Sequence, residues 1–149
     1  MYDSFDSYIE YLDENKQKLP DSVYLFASDP SRHDIESPHS LHDSWMTSIC
    51  IKENRNRNRP FNPKPSIEIE LLGQMHDRNI YLNYESVESY SIVGEKNPSN
   101  WGDTFQGDIA CHEVTLVDDG MVRHEIYFTS ESKIIIICKS FECSEDVYA

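Results

Sequence analysis

The apolar positions along this chain change their period near residue 20. Phe5, Tyr8, Ile9 and Leu12 recur at steps of three and four, which predicts an amphipathic helix over about residues 4–18 with Asp3 or Ser4 as N-cap. Asp6 near its start and Lys16 and Lys18 near its end suit the helix dipole, and Pro20 marks a stop. Downstream the period is two. SVYLFAS (Ser22–Ser28) is a short apolar run that predicts a strand, and the proline-bearing segment Asp29–Ser40 predicts a loop. Trp45, Thr47, Ile49 and Ile51 alternate with polar or small residues. In SIEIELLG, Ile67, Ile69 and Leu71 alternate with Glu68 and Glu70.

NIYLNY and SVESYSIV continue the pattern, and the polar stretch NPSNWGDTFQG interrupts it. In CHEVTLVDDGMVRHEIYF, Asp119-Gly120 between two β-rich runs predicts a two-residue hairpin turn, because glycine supplies the positive φ. The four isoleucines of KIIIICKSF predict a strand covered on both faces or lying next to the helix. Together these elements predict an α+β single domain over residues 1–149, with one N-terminal helix and a β-rich region over about 22–141. The expected architecture is about seven strands in an antiparallel meander, as a curled sheet, barrel or sandwich with the helix on one face.

Charge sharpens the picture. The 149 residues hold 27 Asp and Glu against 13 Lys and Arg, a formal net charge of −14. Such a surface repels phosphate backbones and anionic membranes and attracts basic proteins. The expected partner is therefore one basic protein, with no nucleic acid and no membrane. The N-terminus MYDSFDSYIEYLDE has neither the basic nor the apolar region of a signal peptide, and no window approaches a membrane span. A cytoplasmic protein with reduced thiols is expected, since Cys50, Cys111, Cys138 and Cys143 lack paired zinc-ligand spacing. No cofactor is expected.

Asp3, Asp6, Glu10 and Asp13 advance by three, four and three, an acidic stripe suited to a basic partner. Against this background, KENRNRNRPFNPKP concentrates Lys52, Arg55, Arg57, Arg59 and Lys64 around the single acid Glu53. Its prolines and charges predict a mobile, strand-free hairpin loop; the functional readings are an anion contact, or Arg55, Arg57 and Arg59 as a docking arm for an acidic patch on a partner or a second copy. Nine tyrosines, among them Tyr2, Tyr8, Tyr11, Tyr81 and Tyr90, are candidate anchors.

Catalytic patterns are weaker. Histidine stands beside an acid at His33-Asp34, His42-Asp43, His76-Asp77, His112-Glu113 and His124-Glu125. The HD phosphohydrolase arrangement needs helices around a metal, whereas His42-Asp43 precedes a strand. A two-residue turn at Asp119-Gly120 sets His124 opposite Thr115 and His112 opposite Tyr127. The two rings are then three residues apart, about 10 Å, which is too far to share a zinc ion. No nucleophile elbow and no phosphate-binding glycine loop is present. PHSLHDSW is expected to be the corner where the chain enters a strand. There Asp43 binds backbone N–H groups, His42 donates to a carbonyl, and Trp45 packs inward.

LHDSW (Leu41–Trp45), ELLG, IYLNYESVESYSI and GDIACHEVTLVDDGMVRHEIYF resemble small acidic bacterial β-rich proteins of uncharacterised families, some regarded as immunity proteins of polymorphic toxin systems. The resemblance spans about Leu41 to Cys138. It implies inhibition of a toxin by occlusion and no catalytic residues. The expected function is a non-enzymatic inhibitor of a basic toxin or nuclease, monomeric or weakly dimeric. The alternatives are a small metal- or histidine-dependent enzyme built on His42, Asp43 and His112, and an assembly subunit that joins copies through its basic loop.

Overall fold

The computed structural model describes residues 2–149, and in it the alternating runs form one six-stranded sheet. The strands are β1 (Trp45–Asn56), β2 (Arg59–Leu72), β3 (Arg78–Val93), β4 (Ile109–Leu116), β5 (Val122–Phe128) and β6 (Lys133–Val147). Their order is β1-β2-β3-β6-β5-β4, with every neighbouring pair antiparallel. Two three-stranded meanders thus join along β3 and β6. β1 and β4 remain edges, so the sheet is neither closed into a barrel nor doubled into a sandwich.

Two helices precede the sheet, where one was expected. The helix α1 (Phe5–Glu14) is capped by Ser4, whose hydroxyl accepts the Ser7 N–H, and a short 3-10 turn at Lys16–Lys18 follows it. The run read as a strand is instead α2 (Asp21–Ser28). Its burial shows why: Val23, Phe26 and Ala27 are buried at helical spacing while Leu25 is 67% exposed. Seven residues of mixed apolar character carry no decisive period, and the neighbouring layer settles the conformation. Pro20 starts the helix, its carbonyl accepting the Tyr24 N–H. Ser22 Oγ then donates to the Phe141 carbonyl at 2.8 Å, tying α2 to β6.

Alternation along the strands sends Ile67, Ile69 and Leu71, then Ile80, Leu82 and Tyr84, to the helix-covered face, where all are buried. In β6, Ile134, Ile136 and Cys138 are buried and Ile135 and Ile137 half-buried. The isoleucine run therefore lies centrally, on the strand that α2 covers.

The two edges are treated differently. Along β4, Tyr8 O–H donates to the Val114 carbonyl at 2.8 Å and accepts the Val114 N–H at 2.7 Å. Tyr11 Oη accepts the Leu116 N–H at 2.8 Å. Asp43 N–H reaches the Ile109 carbonyl, and Ile109 N–H reaches the Ser44 carbonyl. Helix α1 and the corner before β1 thus occupy groups that would otherwise template another strand. Tyr8→Phe leaves both backbone groups of Val114 without this partner. It is expected to cost about 2 kcal/mol in urea unfolding and to raise the aggregation rate.

The basic segment is no strand-free loop. β1 and β2 continue through it to a two-residue turn at Arg57-Asn58, making an exposed two-stranded arm. Continuing the β1–β2 ladder satisfies the arm's backbone more fully than a loop would.

The hairpin between β4 and β5 also differs from expectation. Asp118–Gly120 form a 3-10 turn, Gly120 takes φ 74°, and Val117 N–H bonds the Met121 carbonyl. The loop is one residue longer than a two-residue turn, so the register moves by one. His124 lies opposite Val114, and His112 opposite Ile126. Because side chains alternate faces, this shift brings both histidines to the core face.

Candidate functional site

The corner Pro38–Trp45 enters a strand as expected, but through other groups. Ser40 and Ser44 are fully buried; Ser44 Oγ donates to the Ser40 carbonyl, and His42 N–H donates to Ser40 Oγ. Asp43 adopts φ 62° and works through its own N–H, not its carboxylate. Among the described residues His42 reaches no carbonyl across the sheet. Its Nδ1 lies 3.2 Å from Asp43 Oδ2, close enough for an ion pair but without the alignment of a hydrogen bond. Trp45 is only half-buried; its Nε1–H donates to Asp108 Oδ1 at 2.6 Å and its ring meets His76. The corner ends in this contact instead of an inward-packed indole.

The new hairpin register assembles a polar chain in the core. Tyr84 Oη lies 2.7 Å from His124 Nδ1, His124 Nε2 lies 3.1 Å from His112 Nδ1, and His112 Nε2 lies 2.9 Å from the Arg32 carbonyl. A carbonyl only accepts, so His112 carries its proton on Nε2. Its Nδ1 must then accept from His124 Nε2–H, and His124 Nδ1 from the Tyr84 hydroxyl. One carbonyl sets every tautomer in the chain. His33 stacks on His112 with ring centroids 4.3 Å apart, and its Nε2–H donates to the Ala27 carbonyl.

Burial pushes all three histidines below their ordinary pKa. His112 is further depressed by His33 and His124, and His124 falls to about 3. They are neutral under ordinary conditions. The chain begins at a buried hydroxyl and ends at a backbone carbonyl, so it binds the α2–β1 connection to the sheet. A small cavity of about 100 Å³ adjoins it, lined by His33, His42, Ala110, Cys111 and His112. Among the described residues no group of three or more His, Cys, Asp or Glu side chains is arranged to hold a metal ion.

A second cluster joins the same connection to the far end of β6. Glu145 accepts from Arg78 Nη1 at 3.0 Å and from His39 Nδ1 at 2.9 Å, and Arg32 Nη2 lies 3.3 Å away. Arg78 also grips Asp77. Burial raises the Glu145 carboxyl; His39, Arg78 and Arg32 more than reverse this and hold it below its ordinary value. Burial also pushes Cys138 up to about 12 and Cys143 up to about 11, leaving both as poorly nucleophilic thiols.

The sheet face away from the helices carries the opposite chemistry. Across β1, β2, β3 and β6, register aligns Cys50, Glu68, Asn83 and Glu142 in one row. The next row holds Ser48, Glu70, Tyr81 and Ser144, and the row beyond the first holds Lys52, Ser66, Glu85 and Ser140. Glu68, Glu85 and Glu142 are exposed. A groove of about 370 Å³ runs along these residues between Cys50 and Glu142.

Of the residues singled out in the sequence, Asp6, Glu10 and Asp13 form an exposed stripe on α1, with Asp3 exposed just before the helix. Arg55, Arg57 and Arg59 are exposed on the arm, where Arg55 is held by Glu53 and the Pro60 carbonyl. Stripe and arm belong to different parts of the fold. Tyr8 and Tyr11 are spent on the β4 edge, whereas Tyr2 and Tyr90 are 39% and 51% exposed. His112 is a core residue that shares the small cavity with His42, whereas Asp43 does not line it. The sequence reading set His112 and His124 too far apart to meet, because it took the turn as two residues, and it gave His33 and Tyr84 no role.

No family model, curated protein or solved structure matches the chain. No helix among the described residues is long and apolar enough to cross a membrane.

Proposed function

We propose that this chain is a non-enzymatic inhibitor, of the immunity-protein kind, that acts in the cytoplasm by occluding a basic protein such as a toxin or nuclease. The observation that carries this reading is the uncovered sheet face, which presents Glu68, Glu70, Glu85 and Glu142 in adjacent register rows. A broad acidic face on a rigid sheet complements a basic surface and accelerates encounter with it. The α1 stripe adds to the negative field from another side. In this reading the binding carboxylates lie chiefly on the sheet, with the helix stripe secondary.

The test compares capture of a basic protein by the parent chain, by Glu68→Lys/Glu85→Lys/Glu142→Lys, and by Asp6→Lys/Glu10→Lys/Asp13→Lys. Charge reversal on the sheet face is expected to weaken binding of the captured partner by about a hundredfold or more, with a smaller loss for the helix variant. Coexpression should also relieve the partner's toxicity. Binding that is insensitive to the sheet-face variant would refute the reading.

A further inference from the structure

The edge strand β1 is left open, and its sequence is arranged to complement itself. Two other lengths of sheet edge are protected. Tyr8, Tyr11 and the Asp43–Ser44 backbone occupy β4. In the arm, β2 has lost β3 as a neighbour, since their pairing starts at Ser66; there Pro60, Pro63 and Pro65 have no N–H to offer. β1 contains no proline, and among the described residues no loop or side chain bonds to its outer backbone groups. It is also apolar enough to pack, with Ile51 42% exposed and Cys50 exposed.

We infer that β1 pairs antiparallel with β1 of a second copy about a two-fold axis at Ile51, extending the sheet across a homodimer. The position of the axis follows from the strand. β1 is regular only between its two irregularities, at Met46/Ser48 and Asn54/Asn56. The regular stretch Ser48–Asn54 is centred on Ile51, so pairing about Ile51 uses all of it. A two-fold axis normal to the sheet also keeps the helix-covered faces on one side, as alternation requires. Axes at Lys52 or Glu53 would set like charges directly opposite, which is unfavourable.

Charge complementarity points to a second copy as the occupant. About Ile51, Lys52 faces Cys50 of the second copy, and Cys50 neighbours Glu68 in its own sheet. Each basic arm beyond Asn54 then runs beside the start of the other β1, where Thr47 Oγ1 donates to Glu70 Oε2. The cationic arm of one molecule therefore meets the acidic sheet border of the other, twice per dimer. The wider repulsion between two acidic bodies is screened over about 8 Å at physiological salt.

Sedimentation velocity on the full chain at rising concentration tests this directly. A monomer–dimer equilibrium is expected, weakened about tenfold or more by Ile51→Lys, which places like charges across the axis. Lys52→Glu, at an exposed position, should also weaken it and stands in if the first variant does not fold. In this register the two Cys50 residues are diagonal neighbours about 7–8 Å apart, so a short bis-maleimide should join them, and Cys50→Ser should abolish the product. A monomer at every concentration overturns the inference, as does a dimer that neither variant weakens or that Cys50 does not cross-link. Neither result bears on capture of a basic partner through Glu68, Glu85 and Glu142.

Discussion

Stability should fall steeply as pH drops from about 6.5 towards 5, before most carboxylates titrate. His112 and His124 are buried and His33 is half-buried; all three are neutral in the folded chain, with pKa values below the ordinary 6.5 and that of His124 at about 3. Unfolding returns each ring to water, where it binds a proton below about pH 6.5. The unfolded state thus binds more protons across this window, and stability rises with pH. The contribution is fully present above about 6.5 and is lost as pH falls towards the folded values. A ring that stays neutral while its unfolded counterpart is charged adds a slope of about 1.4 kcal/mol per pH unit, as His124 does across this window; His112 and His33 act in the same direction.

Glu145 and Asp77, whose carboxyls are also held low, act in the same direction but only below their ordinary values of 4.5 and 3.8. Between pH 6 and 5 the slope therefore reports the histidines. Urea midpoints at half-unit pH intervals measure it. His124→Gln, which keeps a donor and an acceptor without titrating, should flatten the slope by about 1.4 kcal/mol per unit. Flat stability across this range would mean that the rings reach solvent in the folded chain.

Phe141→Ala is the substitution expected to cost most, about 3–5 kcal/mol. Phe141 is 1% exposed and sits where the layers meet. Its ring lies 5.4 Å from Phe26 on α2, 5.0 Å from Tyr84 on β3, and parallel to His124 on β5 at 5.0 Å. Truncation opens a cavity bounded by three strands and a helix, and its rigid walls limit collapse. A domain of this size has only about 5–15 kcal/mol of stability to lose. Phe141→Leu, which refills most of the volume, should cost about 1.5 kcal/mol. Calorimetry and urea unfolding distinguish the two. In Phe141→Ala, water admitted beside the imidazole should also move the His124 pKa up from about 3 towards its ordinary value, readable by NMR. An unchanged His124 titration would show that the aromatic packing does not keep the ring dry.

Much of this architecture was legible in the chain itself. Alternation in SIEIELLG placed Ile67, Ile69 and Leu71 on one face and Glu68 and Glu70 on the other, which is how β2 lies. An N-cap at Asp3 or Ser4, the polar corner before Trp45 and an isoleucine strand covered on both faces or next to the helix could also be read, because capping, period and turn chemistry are local. What escaped was decided by the neighbours. SVYLFAS carries no dominant period, and it is a helix because Val23, Phe26 and Ala27 fit the layer over β6. The arm is a ribbon because two polar strands satisfy each other's backbone despite the prolines of β2.

The histidine chain hung on one residue of turn length. With two residues in the turn, His112 and His124 fall on opposite faces; with Asp118–Gly120 they meet at 3.1 Å, and Tyr84, forty positions away from His124, completes the chain. The acidic face was equally distributed, since Glu68, Glu85 and Glu142 adjoin only through strand order. The sequence by itself determined which residues alternate and which are charged, because these are properties of neighbours along the chain. Only the tertiary structure decided which of them share a face, because one residue of register exchanges the two sides of a sheet.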